Sequence, residues 1–397
     1  MVAKVRLGDM ATVVTKGTTP TTIGFQFEDS GINFVKVESI SEDGTFLKEK
    51  FSHISDECNV QMRRSQLQEN DILFSIAGAI GRSAIVTKEI LPANTNQALA
   101  IIRVPKGKID YNYLLYALSS SAINQQATQH QQGVAQLNIS LKNVSDFLLP
   151  IYTEAMQKRI VHNLKKIDKL IFLRKQQLSK LDELVKARFV EMFGDPSDNV
   201  NNLPASPMTA ICQIIDGDRG KNYPKQEEFS DSGFCLFLNA KNVTAQGFSF
   251  ENCTYITEEK DALLRNGKLC RGDVVLTTRG TIGNLAFYDT SVPYENIRIN
   301  SGMVILRMNK QVVSEIFFIE QFKMQLDSIK SRIASGSAQP QLPISTMNKI
   351  EMILPPIELQ NQFAAFVERV DKQKQTVQQS LEKLELMKKA LMQEYFG

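Results

Sequence analysis

Two long segments of the chain carry apolar residues at alternating intervals of four and three, the heptad spacing of a coiled coil. Both are rich in Leu, Lys, Gln and Glu, and neither contains Gly or Pro until a closing Phe-Gly. In each segment eight of ten seam positions are apolar; Arg174 and Arg188 fill the two gaps in the first. Each segment therefore predicts a continuous helix, and at 1.5 Å per residue a helix of 40 residues extends about 60 Å.

So regular a stripe needs a partner helix, and we expect the two helices to pair with each other. Antiparallel pairing alone would place the intervening globular segments at opposite ends, as a dumbbell with a rigid spacer. The predicted coiled-coil interface consists of Ile160, Leu164, Ile167, Ile171, Leu178, Leu181 and Val185 in the first helix, and Phe363, Val367, Val370, Val377, Leu381, Leu384 and Leu391 in the second.

The rest of the chain has the pattern of strand-rich globular domains: short β-branched and aromatic runs separated by Gly, Asn, Thr and Pro. The pattern divides the chain into a first domain (1–153), a central helix (154–195), a second domain (196–356) and a further helix (357–397).

The second half of the chain repeats the first. The motif that begins at Asp71 recurs 202 residues later at Asp273. The collinear matches are 34–40 with 237–243, 71–81 with 273–283, 96–103 with 300–307, 136–140 with 341–345, and 191–194 with 394–397. We therefore predict an α+β protein in which two similar globular domains are separated by two long antiparallel coiled-coil helices, related by a pseudo-two-fold internal duplication.

Composition limits the protein class. No apolar run approaches the roughly 18 residues that span a bilayer, and the first ten residues lack a signal-peptide core, so a cytoplasmic protein is expected. The five cysteines contain no CxxC pair, which favours buried reduced thiols over zinc ligands or disulfides. The formal net charge is +3, and the excess lies on the first long helix, with 10 basic and 6 acidic residues, while both globular segments are nearly neutral.

We find no pattern of residues that predicts catalysis. His53, His130 and His162 are far from one another in sequence and from any cysteine at ligand spacing. The sequence contains no HExxH, GxGxxG, GxSxG or GxxxxGK[ST] motif. We therefore expect a non-catalytic chain that holds neither a metal nor a cofactor.

Polar residues gather instead in three loops that both halves share, with side chains that differ between the copies. Lys16 is matched with Gly217 at the first loop, Ser75 with Thr277 at the second, and residues 130–136 with 335–339 at the third. Such side chains donate to phosphate and read base edges, and glycine permits close approach. The candidate DNA-binding residues are Lys16, Thr18, Thr19, Ser75, Gly78, Arg82, Asn96, Gln131, Gln132 and Gln136, and in the second half Arg219, Lys221, Asn222, Tyr223, Lys241, Thr277, Arg279, Asn284, Asn300, Ser337 and Gln339.

Over its whole length the chain resembles the specificity subunit of type I restriction-modification systems. The motifs that carry the resemblance are Leu7-Gly8-Asp9, Gly-Asp-Val-Val-Leu at 272–276, Gly-x-x-Gly at 78–81 and 280–283, Leu-Pro at 149–150 and 354–355, and Met-Phe-Gly at 192–194 with Tyr-Phe-Gly at 395–397. The resemblance implies two target-recognition domains and a non-catalytic reader of double-stranded DNA. It also implies two docked methyltransferase subunits and, through them, ATP-dependent restriction subunits, with the S-adenosylmethionine and ATP chemistry in those partners.

A reader of this kind would recognise a bipartite, asymmetric site with a fixed unread spacer, because its loops differ and its helices have a set length. Lys158, Lys165, Lys169 and Lys175 lie off the seam, where methyltransferase subunits could bind. The neutral domains predict that the chain alone holds DNA weakly. Two alternatives remain at this stage: a two-domain structural or peptide-binding adaptor whose helices oligomerise, and a stand-alone nuclease or methylase, which lacks its motifs.

Overall fold

The computed structural model describes residues 2–129, 138–334 and 341–397. Its residues form two compact units: Met1–Lys175 with Gln379–Gly397, and Gln176–Gln378. The strands are β1 (Lys4–Arg6), β2 (Val13–Lys16), β3 (Ile32–Val35), β4 (Ser52–Ile54), β5 (Ile72–Ser75), β6 (Ser83–Ile85), β7 (Ala93–Thr95), β8 (Leu99–Arg103), β9 (Leu148–Pro150), β10 (Ala205–Pro207), β11 (Cys212–Asp216), β12 (Cys235–Leu238), β13 (Val243–Thr244), β14 (Gly247–Phe248), β15 (Tyr255–Ile256), β16 (Asp273–Thr277), β17 (Leu285–Phe287), β18 (Ile297–Ile299), β19 (Met303–Met308) and β20 (Glu351–Ile353).

The helices are fewer and mostly short, apart from two of 40 residues and one of 20. They are α1 (Leu7–Met10), α2 (Asp56–Gln61), α3 (Tyr111–Leu118), α4 (Ser121–Gln129), α5 (Leu141–Ser145), α6 (Glu154–Phe193), α7 (Met208–Ile211), α8 (Glu258–Leu263), α9 (Glu315–Ala334), α10 (Ile344–Met347) and α11 (Ile357–Phe396).

The first unit is built on an antiparallel four-stranded sheet in the order β2-β8-β5-β6. Alternate residues of a strand face opposite sides of its sheet. In β8, Leu99 and Ile101 enter one apolar core, whereas Ala100 and Ile102 enter the other. Since both faces are covered, β8 is a continuous apolar run rather than an alternating one. A second sheet has the order β4-β3-β7, with β3 and β7 parallel, and β1 pairs with β9.

The second unit repeats this arrangement. Its four-stranded sheet is β11-β19-β16-β17, its three-stranded sheet is β15-β12-β18 with β12 and β18 parallel, and β10 pairs with β20. A small hairpin of β13 and β14 is added. The predicted internal duplication and the α+β class are confirmed.

In each unit, half of α6 packs against half of α11. In the first unit, Lys388 Nζ lies 2.7 Å from Asp168 Oδ1, and Lys175 Nζ lies 3.5 Å from Glu385 Oε1. In the second, Lys374 Nζ lies 2.6 Å from Asp182 Oδ1. As residue numbers rise along α6, those of the α11 partners fall. The helices therefore run antiparallel, as predicted.

The predicted interface positions differ in burial. The buried ones are Ile160, Leu164, Ile167, Val185, Phe363, Val367, Val370, Val377 and Leu381, and the half-buried ones are Ile171, Leu178, Leu181, Leu384 and Leu391. Lys374 fills a gap in the apolar seam and is itself partly buried. Burial would lower the pKa of Lys374, but its hydrogen bond to Asp182 and the charge of Asp371 outweigh this and raise it.

Two further expectations can be compared with the structure. Cys58, Cys212 and Cys235 are buried thiols, but Cys253 is only half-buried and Cys270 is exposed, so the expectation of five buried thiols is wrong. Cys270 lies in the loop before β16, outside the apolar clusters. Among the described residues, no helix is both long and apolar enough to cross a membrane.

Candidate nucleic-acid interface

The predicted loops lie at one end of each four-stranded sheet, which we call the loop end. In the first unit, Lys16 and Ser75 end their strands opposite Ala100 and Leu99, which begin β8. In the second unit the loop end lies at Asp216 and Thr277, which stand opposite Val304 and Met303. The candidate residues after β2 and β5 and before β8 are thus brought together, and so are their counterparts in the second unit.

A glycine lets the first loop approach the backbone next to β7 or β18. Gly17 N donates to Asn96 O at 3.1 Å, and a Cβ on Gly17 would lie only 1.6 Å from Thr95 O. A Cβ on Gly217 would lie 2.3 Å from Asn300 O. Gly17 and Gly217 are therefore equivalent, and Lys16 corresponds to Asp216 rather than to Gly217. The match proposed from the sequence was wrong by one residue.

Ser75 and Thr277 are fully buried, and their hydroxyls close the second loop. Ser75 Oγ accepts from Arg82 N at 2.9 Å and donates to Ala79 O. Thr277 Oγ1 accepts from Asn284 N at 3.0 Å and donates to Thr281 O at 2.5 Å. A buried hydroxyl with both functions used cannot reach a base edge. These two side chains shape the loop, and their contact with DNA stays a prediction that their burial does not favour.

The residues that end this loop are half-buried and partly committed to the fold. Arg82 Nη1 donates to Ile40 O at 3.2 Å, and Asn284 Nδ2 donates to Val243 O at 2.9 Å. Gly78 has φ +71° at an open turn, with nothing within 4 Å of its Cβ position, so glycine relieves backbone strain there.

The other candidates of the first unit are accessible to varying degrees. Lys16 is exposed, and Thr18, Thr19 and Asn96 are half-exposed. Thr19 Oγ1 donates to Gln97 Oε1 at 2.6 Å, and the side-chain carbonyl of Asn96 accepts from Ala98 N at 3.1 Å. Lys16 thus has the freest charge at this loop end.

The first loop of the second unit carries two basic side chains, Arg219 and Lys221, beside the acidic Asp216 and Asp218. Arg219 is exposed and donates to Asp216 Oδ1 at 3.1 Å and to Ser301 O at 3.2 Å. Lys221 is exposed, and Asn222 Nδ2 donates to Leu263 O at 3.1 Å.

Tyr223 is less accessible than predicted. It is half-buried, and its ring packs edge-on against Phe237, with 5.8 Å between centroids. The ring is therefore partly packed into the small apolar cluster that contains Phe237.

The remaining candidates of the second unit lie around the second loop. Arg279 and Lys241 are exposed, and Arg279 N donates to Gly302 O at 3.2 Å. Asn300 is half-buried and accepts from Gly302 N at 2.9 Å, the same local turn that Asn96 forms. Arg279 therefore projects from a backbone fixed on two sides, by Gly302 and by a bridge to Gln341.

Most of the third loop lies outside the described residues, including Gln131, Gln132, Gln136, Ser337 and Gln339. Its flanks return to the loop end, where Ile139 N donates to Ile76 O at 3.0 Å and Leu342 N donates to Thr278 O at 2.9 Å. These bonds make Ile139 equivalent to Leu342. The sequence match of 136–140 with 341–345 was therefore displaced by two residues.

The sequence did not draw attention to Asp218, although it organises the first loop of the second unit. Asp218 is buried and accepts from Gly220 N at 2.6 Å and from Arg265 N at 2.7 Å. Burial alone would raise the pKa of Asp218, but the backbone donors Gly220, Arg265 and Asn266 lower it. The carboxylate thus fixes the turn that carries Arg265 against the loop that carries Arg219.

No group of three or more His, Cys, Asp or Glu side chains suited to a metal occurs in the part of the chain that the structure describes. The arrangement at the loop ends offers hydrogen-bond donors and positive charge. It can hold a polyanion.

Comparisons with known proteins agree with this arrangement. Residues 2–183 and 208–386 match the type I restriction modification DNA specificity domain. The chain is 33% identical over 139 residues to the type I restriction enzyme EcoBI specificity subunit of Escherichia coli, a match that covers 34% of this chain and 28% of that protein. It is 22% identical over 379 residues to the putative type I restriction enzyme MjaX specificity subunit of Methanocaldococcus jannaschii, covering 91% of this chain and 85% of that one.

Two solved structures share the fold. One is a chain of a type I R-M system described in terms of complex assembly and conformational transition, with a TM-score of 0.59, 15% identity, and coverage of 99% of this chain and 97% of that one. The other is the S subunit of a type I restriction-modification system from M. genitalium, with a TM-score of 0.55, 15% identity, and coverage of 100% and 96%.

Proposed function

Because the chain belongs to the family of type I restriction-modification DNA specificity subunits, we propose that it reads a bipartite, asymmetric site in duplex DNA. The family consists of non-catalytic components of type I restriction enzymes. We place the methylation and the ATP-driven chemistry in partner chains.

The observation that carries this proposal is the pair of loop ends, which share a backbone and differ in side chains. Lys16 of the first unit is replaced by Asp216 in the second, and Arg82 by Asn284. Different donors and acceptors on the same scaffold suit two different short sequences. Each unit would therefore read its own half-site.

We further propose that the two long helices fix the distance between the half-sites. Each helix is a single uninterrupted element of 40 residues, which corresponds to about 60 Å. Half-sites on one face of B-DNA recur about every 34 Å, so a helix pair of set length selects a set number of unread base pairs.

A groove between α6 and α11 of the second unit supports the docking of methyltransferase subunits. It is lined by Leu184, Ala187 and Phe366, and Leu184 is 46% exposed. The duplication places Met387, 54% exposed, at the position equivalent to Leu184. An exposed apolar side chain at the same position of each unit suits two copies of one partner, and restriction subunits would attach through them.

Sequencing of methylated bases in a host that carries the system tests the proposal directly. We expect one motif with two different half-sites and a spacer of constant length. A heptad inserted into both α6 and α11 should change the spacer length and leave both half-sites unchanged. As a control, seven residues inserted at the exposed turn of Lys106 and Gly107 should leave the whole motif unchanged. A single continuous motif, or no methylation that depends on this chain, would refute the proposal.

DNA affinity separates this function from a peptide-binding adaptor. We expect the chain alone to bind duplex DNA weakly, because its globular segments are nearly neutral, and the complex with methyltransferase subunits to bind tightly. For a DNA reader, affinity falls steeply with salt concentration. If neither the chain alone nor its complex with the methyltransferase subunits binds duplex DNA at 50 mM salt, the result would favour the adaptor.

A further inference from the structure

Resting on the proposed function, we propose that Arg63 in the first unit and Arg265 in the second contact the DNA phosphate backbone. These two arginines occupy equivalent positions on exposed turns beside the loop ends. They would anchor each unit on its half-site without reading the sequence.

The equivalence of the two arginines rests on a run of 17 residues without a gap, 55–71 against 257–273. The structure shows the same local bonds in both. Ser55 Oγ accepts from Cys58 N at 3.1 Å, and Thr257 Oγ1 accepts from Lys260 N at 3.2 Å, each capping a short helix. Further along, Leu67 N donates to Ala93 O, and its counterpart Leu269 N donates to Ile297 O, both at 2.9 Å.

In each unit, a buried side chain donates a hydrogen bond to the backbone carbonyl at the equivalent position of the turn. Asn94 Nδ2 donates to Met62 O at 3.2 Å in the first unit, and Arg298 Nη2 donates to Leu264 O at 3.1 Å in the second. These carbonyls belong to the residues immediately before Arg63 and Arg265. The backbone that carries each arginine is therefore fixed in the same way, although the supporting side chain is neutral in one unit and charged in the other.

Both turns lie at the loop end. In the second unit, Arg265 N donates to Asp218 Oδ2, and a Cβ on Gly267 would lie 3.3 Å from Gly217 Cα. In the first unit, Met62 O accepts from Asn94, and the next residue, Thr95, lies against Gly17 of the first loop. The turn Arg63–Ser65 also contacts β2. The arginines are thus neighbours of the loops that we expect to face DNA.

The two guanidinium groups share no task within the fold. The charge of Arg265 helps to lower the pKa of the buried Asp218, but the residue equivalent to Asp218 in the first unit is the neutral Thr18. Both side chains are exposed, and across residues 2–129, 138–334 and 341–397 neither guanidinium forms a hydrogen bond or ion pair. By contrast, Arg103 and Arg307, which are also identical in the two units, each bind a buried aspartate. The identity of that second pair is explained by the fold, whereas the identity of Arg63 and Arg265 is not.

The nature of the contact follows from what the two half-sites share. Loop residues that differ between the units suit bases, which differ between the half-sites. A residue that is identical in the two units is suited to contact what both half-sites share, the phosphodiester backbone. Arginine binds phosphate through paired donors, and phosphate contacts position a protein without specifying sequence.

The test uses the full chain co-purified with its methyltransferase subunits and a fluorescent duplex, in salt from 50 to 200 mM. Arg63→Ala and Arg265→Ala should each lower affinity for the cognate and a random duplex by the same factor. Each should reduce the slope of log affinity against log salt by about 1, so that the ratio of affinities at the two salt limits falls about 3.5-fold. Arg63→Lys should keep the slope. Arg64→Ala is the matched control, because Arg64 is exposed but corresponds to Asn266, and it should also keep the slope.

An unchanged slope for both alanine variants would overturn the inference, and so would an equal change for Arg64→Ala. A changed methylation motif would overturn it as well, since it would indicate base contact. The proposed function fails separately, if the wild-type complex does not distinguish its methylated motif from random DNA.

Discussion

Arg103 donates to Asp71 through both Nε and Nη2, and each of the two hydrogen bonds is 2.7 Å long. Arg307 binds Asp273 in the same manner at 2.8 Å. Both aspartates are 1% exposed. Each Arg–Asp ion pair joins the start of one central strand, β5 or β16, to the end of its neighbour, β8 or β19. This is the end of the sheet opposite the loop end.

We expect Arg103→Ala to destabilise the first unit by about 2–3 kcal/mol, because it leaves a buried carboxylate without its charged donor. Hydrogen exchange followed by mass spectrometry would report this for the peptides that contain β5 and β8. The control is Lys88→Ala, whose ion pair with Glu69 is 3.7 Å long and largely exposed, and which should cost less than about 0.5 kcal/mol. Equal effects of the two variants would contradict the assigned role.

Arg279→Ala should weaken binding of the cognate site without affecting folding. Arg279 is exposed on a fixed backbone, and loss of a base contact costs about 1–3 kcal/mol. Fluorescence anisotropy would measure the affinity for DNA, and thermal unfolding would measure the stability of the fold. Thr277→Val provides the contrast, since its buried hydroxyl only closes the loop, and it should lower the unfolding temperature. Unchanged affinity of Arg279→Ala would remove this residue from the interface.

Leu181→Asp should disrupt helix pairing more than Lys175→Glu does. Leu181 packs against the apolar cluster of the second unit, so an aspartate would place an unpaired charge there. Lys175 is exposed and its ion pair with Glu385 is 3.5 Å long, so reversal of its charge should cost about 1 kcal/mol or less. Co-purification with methyltransferase subunits and circular dichroism would compare the variants. Equal assembly would show that the heptad register is wrong.

The second unit should lose stability in acid through Asp261. Burial alone would raise the pKa of Asp261, but hydrogen bonds from Lys268 and Arg298 outweigh it and lower that pKa. Because the folded pKa lies below the unfolded value of about 3.9, the contribution is complete above about pH 5 and is lost as the pH falls through the folded value.

Urea unfolding at pH 6 and pH 3.5 would measure the contribution of Asp261. Asp261→Asn should reduce stability at pH 6 and narrow the difference between the two pH values. The equivalent position in the first unit is Asn59, which does not titrate, so Asn59→Ala should change stability equally at both. If the stability of Asp261→Asn differs between pH 6 and pH 3.5 by as much as that of the wild type, the Asp261 carboxylate is not the cause of the loss of stability in acid.

The helices and the duplication were predicted well from the sequence, because each leaves residues of the same type at constant intervals along the chain. Apolar positions such as Ile160 and Leu164 recur at heptad intervals, and a helix can be predicted from such spacing because its hydrogen bonds join residues close in sequence. The convergence of the first two loops was also predictable, since both halves keep them in order. Gly17 and Gly217 show what the sequence left open: their equivalence depends on close contacts with the backbone beside β7 and β18, not on the identity of neighbouring residues.

Burial and register were harder to predict. A hydroxyl at the end of a strand looks the same in the sequence whether it faces solvent or closes its own loop, as Ser75 and Thr277 do. The third loop was misaligned because local identity, Gln136 with Gln341, suggested a match that the bonds of Ile139 and Leu342 exclude. A signal for Arg63 and Arg265 was present in the gapless run around them, but only the structure showed that their turns lie at the loop end.

The first unit contains two separate stretches of chain, and this has a consequence for its biosynthesis. Tyr395 and Phe396 lie in its apolar core, where the Phe396 ring is 5.3 Å from that of Tyr113. A ribosome delivers these residues only after the whole of the second unit, which is one continuous stretch. The second unit can therefore complete its core during translation while the first waits with an apolar surface uncovered, and premature termination near residue 390 would damage the unit that was begun first.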